Sequence, residues 1–173
     1  LLLARSNERE PLAAGNSPLQ TLARIVRSGV IVANAITSSK KYPVVCFSEV
    51  PLVDRLQKRK FRSHLGRWDD EPYGIAIRLH AAKRIGLKPV IYGVPKQRTQ
   101  LGEQDQYRFQ SKGKTFDWTQ EREWRSNSSV DLTQLDIDEV RIFLPDAEQA
   151  ETLQPIADWK ITLLNDSAAT PES

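Results

Sequence analysis

The amino-acid sequence predicts an α+β fold, in which a single domain carries a mixed central sheet flanked by short helices. Three observations carry this prediction. Runs rich in Val and Ile, at 43–47, 73–79 and 140–144, have the composition of buried strands. Helical spacing of apolar residues appears only over short windows, as at Leu19, Leu22, Ala23, Ile25 and Val26. No Gly/Ser- or Pro-rich linker divides the 173 residues into two parts that could each bury a core. The expected domain is 1–164, with 165–173 as a disordered tail.

Ser17-Pro18 ahead of Leu19 reads as an N-capped helix start, and Gly29 as its stop. Residues 30–33 and 43–47 are β-rich runs on either side of the polar turn 37–41, expected strands of one sheet that need not pair directly. The stretch 53–64 carries Asp54, Arg55, Lys58, Arg59, Lys60 and Arg62 with apolar Val53, Leu56 and Phe61, which predicts a solvated basic helix. Residues 73–79, 80–85 and 89–93 read as strand, helix and strand, with Gly86 ending the helix. From 95 to 114, Gln, Lys, Arg and Gly dominate and predict a long mobile loop. Beyond it, 140–144 is a strand, Asp146 caps a helix through Ile156, and 159–164 closes the sheet.

Composition narrows the function classes. With 39% hydrophobic residues, four Trp, four Tyr and five Phe, the chain has enough apolar surface to offset backbone ordering. Cys46 is the only cysteine, which excludes an internal disulfide and any multi-cysteine metal site and favours a reducing, cytoplasmic setting. No apolar run approaches the roughly 18 residues of a membrane span, and Arg5, Glu8, Arg9 and Glu10 follow the opening Leu1 to Ala4, so neither anchor nor signal peptide is expected. The chain contains no Met, which reads as a trimmed N-terminus whose first strand could be incomplete. A net charge of +3 permits nucleic acid as a partner without demanding it.

Chemistry concentrates in Trp118-Thr119-Gln120-Glu121-Arg122-Glu123-Trp124-Arg125. On a strand, the period of two puts Glu121, Glu123 and Arg125 on one face and Arg122 and Trp124 on the other. Two carboxylates on a shared face can divide labour, one bonding a sugar hydroxyl and the other steadying positive charge, with Arg125 keeping one of them ionised. The same spacing also fits ordinary charge pairing around a strand whose Trp124 faces the core. Ser48 and Glu49 end an apolar strand, where sheets present polar groups to ligands; the other role for Ser48 is a cap before Pro51. Ser48 lacks a Gly-x-Ser-x-Gly frame, and Cys46 reads as a packing residue.

His64 and His80 are the only histidines and have no ligand spacing, so no metal is expected; Asp69-Asp70-Glu71 reads as a solvated turn. No Gly-rich phosphate loop occurs. Lys58, Arg59, Lys60, Arg62 and Arg67, with Phe61 and Trp68, are candidate nucleic-acid contacts, cations tracking phosphates while an aromatic stacks a base. A solvated helix face accounts for the same run.

Taken together and in order, 44–51, 72–77, 88–92 and the Trp-x-x-Glu-x-Glu-Trp-Arg element at 118–125 resemble the AbiGi-like proteins of bacterial abortive-infection systems and their relatives. The resemblance covers roughly 17–130. These proteins are distantly similar to the ADP-ribosyltransferase superfamily, including DarT-type enzymes that modify DNA. What this resemblance implies is a defence or toxin domain with NAD as substrate and nucleic acid or protein as acceptor. Glu123 then binds the nicotinamide ribose and stabilises an oxocarbenium-like transition state, and Glu121 orients the acceptor. Ser48, Tyr73, Arg125 and Trp118 are the implied cofactor-binding residues, with Tyr73 stacking on nicotinamide. The early strand that supplies an Arg or His to grip NAD is not identifiable, and Arg5 is the one candidate for a remnant of it. The alternative is a non-catalytic relative that keeps the fold and binds nucleic acid or protein through its basic stretch.

Overall fold

A computed structural model describes residues 1–4, 17–35, 42–63, 67–113, 117–153 and 158–165, with Arg62 and Arg67 as backbone. Arg5, the polar turn 37–41, His64, Ile156 and the tail from 166 onward lie outside the described residues. The first half of the chain runs β1 (Leu2–Ala4), α1 (Pro18–Ser28), β2 (Val30–Ile31), β3 (Val45–Ser48), α2 (Leu52–Lys58), β4 (Phe61–Arg62), β5 (Arg67–Trp68) and β6 (Gly74–Ile77). It continues through α3 (Leu79–Arg84), β7 (Lys88–Pro89), β8 (Ile91–Gly93), α4 (Pro95–Arg98) and β9 (Phe109–Ser111). β10 (Glu123–Ser126), β11 (Val130–Asp131), β12 (Val140–Leu144), α5 (Ala147–Glu151) and β13 (Lys160–Leu163) follow.

The result is a single α+β domain built on a seven-stranded mixed sheet of order β13-β12-β6-β1-β3-β10-β7. Its neighbours are antiparallel except for β12 and β13. α1 forms where Ser17 and Gly29 bracket it. Ser17 Oγ accepts the Gln20 N–H at 3.2 Å, Gln20 Oε1 accepts the Ser17 N–H at 2.9 Å, and Gly29 at φ 69° supplies the left-handed stop. Leu22, Ala23 and Val26 of α1 join Leu2, Val45, Phe47, Ile75, Ile77 and Trp124 in the main core. The opposite sheet face is covered by two smaller clusters, Leu3, Leu52 and Ala76, and Val44, Cys46 and Tyr107.

Several expectations change. β2 does not enter the main sheet but pairs with β11, and the chain just after it meets the 43–47 run at an isolated Asn34–Val44 bridge. The basic stretch is helical only through Lys58; Phe61 and Trp68 then pair across the β4–β5 ribbon. The helix stops there because Arg59 has extended backbone, φ −59° and ψ 145°, with no glycine or side-chain cap to mark the end in sequence. The run 89–93 splits, β7 joining β10 and β8 pairing in parallel with β9. The supposed loop 95–114 holds α4, a 3-10 helix Glu103–Arg108 and β9. Its order comes from Tyr107 and Phe109, both buried, which is too few apolar residues to register as periodicity. Among the described residues no helix is long and apolar enough to cross a membrane.

Candidate functional site

Register decides what stands beside Glu123. β10 pairs with β3 so that Glu123 lies directly opposite Ser48, and β1 pairs with β3 so that Ser48 lies opposite Leu3. Residues in register share a face, so the row runs Glu123, Ser48, Leu3 across three central strands. Glu123 is the first residue of β10 and Ser48 the last of β3. Both therefore sit at the same end of the sheet, where the chain can leave the ladder and approach a ligand.

Glu123 and Arg125 do share a face, as the alternation predicts, but as a buried pair rather than an open carboxylate surface. Arg125 Nε donates to Glu123 Oε1 at 2.9 Å, and Nη2 is 3.3 Å from Oε2. The remaining guanidinium donors go to the Tyr107 and Phe109 carbonyls at 3.0 and 3.3 Å and to Gln110 Oε1 at 2.9 Å. Burial disfavours the charged guanidinium, and Glu123 overrides it, holding the Arg125 pKa above its usual value. The Glu123 N–H donates to the Tyr92 hydroxyl at 3.1 Å.

Glu121 is not on the strand. It ends a 3-10 turn, Trp118–Glu121, which Asp117 starts by accepting the Thr119 N–H at 3.0 Å. Arg122 then adopts φ 42°, the left-handed region, and breaks the alternation between 121 and 123. The Glu121 carboxylate accepts from Arg55 Nη1 at 2.9 Å, and Arg55 Nε also donates to Asp70 at 2.7 Å. Ser48 reinforces the turn: its hydroxyl donates to the Glu121 carbonyl at 2.7 Å and accepts the Val50 N–H at 3.1 Å. With Ser48 fully buried, that hydroxyl positions Glu121 instead of presenting itself. Arg122 and Trp124 do turn to a common partner, Glu49. Trp124 Nε1 donates to Glu49 Oε1 at 2.8 Å and Arg122 Nη2 to the Glu49 carbonyl at 3.1 Å.

No protein-family model, curated protein or solved structure matches this chain. Ser48, Glu121, Glu123 and Arg125 come together, and Trp118 stands on the Glu121 turn at 38% exposure. Tyr73 does not join them. Leading into β6, it packs against the main core on the far side of the sheet, and its hydroxyl donates to Gln149 at 2.7 Å. Its stacking role on nicotinamide is corrected accordingly, because Ile75 and Ile77 set the buried parity that Tyr73 follows. Lys58, Arg59 and Lys60 are exposed, while Arg62 and Arg67 are paired through the ribbon backbone.

Sequence reading missed Arg55, Asp70, Tyr92 and Gln110 as members of this constellation. Arg55 looked like one cation in a solvated run, yet its side chain is 9% exposed. Its i, i+3 offset from Leu52, the buried residue of α2, was the available signal. Among the described residues no group of three or more His, Cys, Asp or Glu could hold a metal ion.

Proposed function

We propose that this chain is an ADP-ribosyltransferase-like domain of a bacterial defence or toxin system that transfers ADP-ribose from NAD to a nucleic-acid or protein acceptor. The observation that carries the reading is the register pair Ser48–Glu123 at one end of adjacent central strands, with the short first strand β1 next in the row. The resemblance calls for an early strand that supplies an Arg or His to grip NAD, and β1, Leu2-Leu3-Ala4, carries neither. In the reaction the bond between the ribose C1′ and the nicotinamide nitrogen breaks, and nicotinamide leaves with the electron pair. The acceptor heteroatom bonds C1′ and loses its proton. The Glu123 carboxylate stabilises the positive charge that develops on the ribose, with Arg125 keeping it ionised. Glu121, whose side chain is 19% exposed, orients the acceptor. Trp118, exposed on the same turn, is the aromatic that this reading assigns to the nicotinamide ring.

The test is nicotinamide release from NAD by the protein in the presence of DNA, RNA or cell lysate, compared with Glu123→Gln and Glu121→Gln. Release that needs Glu123, from variants that melt cooperatively like wild type, supports the transferase. Release by neither wild type nor variants rejects it.

A second reading, a non-catalytic nucleic-acid-binding module, is favoured by one specific feature. The β4–β5 ribbon exposes Phe61 and Trp68 at 53% and 38%. Their ring centroids are 5.6 Å apart, edge to face, and the Arg59 guanidinium lies 4.5 Å over the Trp68 ring. Exposed aromatics bordered by Lys58, Arg59 and Lys60 suit stacking of unpaired bases with phosphate contacts alongside.

A further inference from the structure

A second cluster of cations stands far from Glu123. β12 lies four strand positions from β10, roughly 19 Å away at about 4.8 Å per strand. There Arg141 is in register with Lys160 on β13 and with Ala76 on β6. Like charges directly opposite one another on a sheet face destabilise it unless something of opposite sign lies between them. Arg78, Arg141 and Lys160 all line one hollow of about 290 Å³. Arg78 and Arg141 also line the adjoining hollow of about 520 Å³, with His80 and Lys83.

Among the described residues the carboxylates nearby do not balance these charges. Asp138 lines both hollows and Asp158 the smaller one. Asp138 is 74% exposed and stands 4.0 Å from Arg78, a weak surface pair. The Glu139 carboxylate is occupied by Arg84 at 2.9 Å and His80 at 2.8 Å. Among the described residues, Arg78, Arg141 and Lys160 thus line the hollows against Asp138 and Asp158, while the Lys83 ammonium lies 5.9 Å over the Trp124 ring.

We infer that this end of the sheet is a binding site for a phosphate-bearing small molecule, with Arg78, Arg141 and Lys160 as its anchors. Guanidinium forks match phosphate oxygens in pairs, and Lys160 adds a point charge from the neighbouring strand. The volumes are those of a small-ligand site. A bound dianion converts the Arg141–Lys160 repulsion into two attractions. The inference stands apart from the transferase reading, since no residue is shared between the two sites.

Calorimetric titration with sodium diphosphate, ADP and a single-stranded oligonucleotide at low ionic strength tests it. Saturable binding of diphosphate and ADP is expected, weakened at least about tenfold in Arg141→Gln/Lys160→Gln and in Arg78→Gln. Without anion the double variant is expected to melt at or above the wild-type temperature, because it loses a like-charge pair. Undiminished affinity in both variants overturns the site, as does the absence of saturable diphosphate and ADP binding. Binding of the oligonucleotide alone, lost in the variants, also overturns it and assigns the cations to a nucleic-acid surface. Because NAD turnover is scored separately on Glu123, either idea can fail without the other.

Discussion

Arg125 reaches back along its own strand to Glu123, Nε to Oε1 at 2.9 Å, with both side chains no more than 6% exposed. The same guanidinium binds the carbonyls of Tyr107 and Phe109. One side chain therefore both fixes the candidate catalytic carboxylate and fastens the segment that packs over it.

Removing that guanidinium strands a buried carboxylate. Arg125→Met is expected to destabilise the fold by about 3–5 kcal/mol, as breaking a buried ion pair does, measured by urea unfolding. Arg125→Met/Glu123→Leu is expected to regain much of the loss, because no uncompensated charge remains. Equal losses in the single and double variants would show that packing and carbonyl bonds matter more than the charge.

Arg55 joins α2 to both Asp70 and Glu121. Arg55→Met is expected to cost about 3 kcal/mol by the same reasoning and to loosen the 3-10 turn. Hydrogen exchange at the amides of residues 118–122 is the measurement. Exchange faster there but unchanged in β12 is the expected pattern, and uniform protection across both would refute a local tether.

Glu139 supplies a pH dependence. Hydrogen bonds from Arg84, then from the Asp136 N–H and from His80, hold its carboxyl down at about 2, below its ordinary 4.5. A carboxylate with a depressed folded pKa contributes stability that is complete above the unfolded value and lost as pH falls toward the folded one. Melting temperature should therefore fall more steeply between pH 4.5 and 2 in wild type than in Glu139→Gln. Parallel curves would contradict the assignment.

The ribbon makes a separate prediction for nucleic acid. Neutralising Lys58, Arg59 and Lys60 is expected to reduce the salt slope of single-strand binding by roughly 2, at about 0.7 per phosphate contact. Trp68→Ala is expected to cost about 1–3 kcal/mol of affinity with little change in slope, since it removes a stacking surface and no charge. An unchanged slope in the triple variant would exclude this ribbon as the contact.

Much of the element list could be read from local pattern. Ser17, Pro18 and Gly29 bracket α1, and Asp146 caps α5 through the Gln149 N–H at 3.0 Å, because caps act over three or four residues. Misreadings fell where an element is held by distant groups. The 95–114 segment carries few apolar residues, and its order depends on Arg125 and on two buried aromatics. The basic stretch concealed Arg55, since a buried arginine and a solvated one look alike until Asp70 and Glu121 are brought to it.

By itself the sequence determined the α+β class, both ends of α1, the start of α5, the strand character of 45–48, 74–77 and 140–144, and the shared face of Glu123 and Arg125. All of these follow from a period or a cap, which are local. Only the tertiary structure decided that Ser48 faces Glu123, that Arg122 breaks the alternation and sends Glu121 to Arg55, and that Tyr73 belongs to the other face. A strand's period of two states which residues share a face but not which strand lies beside it. That choice is made by burial of the whole sheet, and it set the company each charged residue keeps.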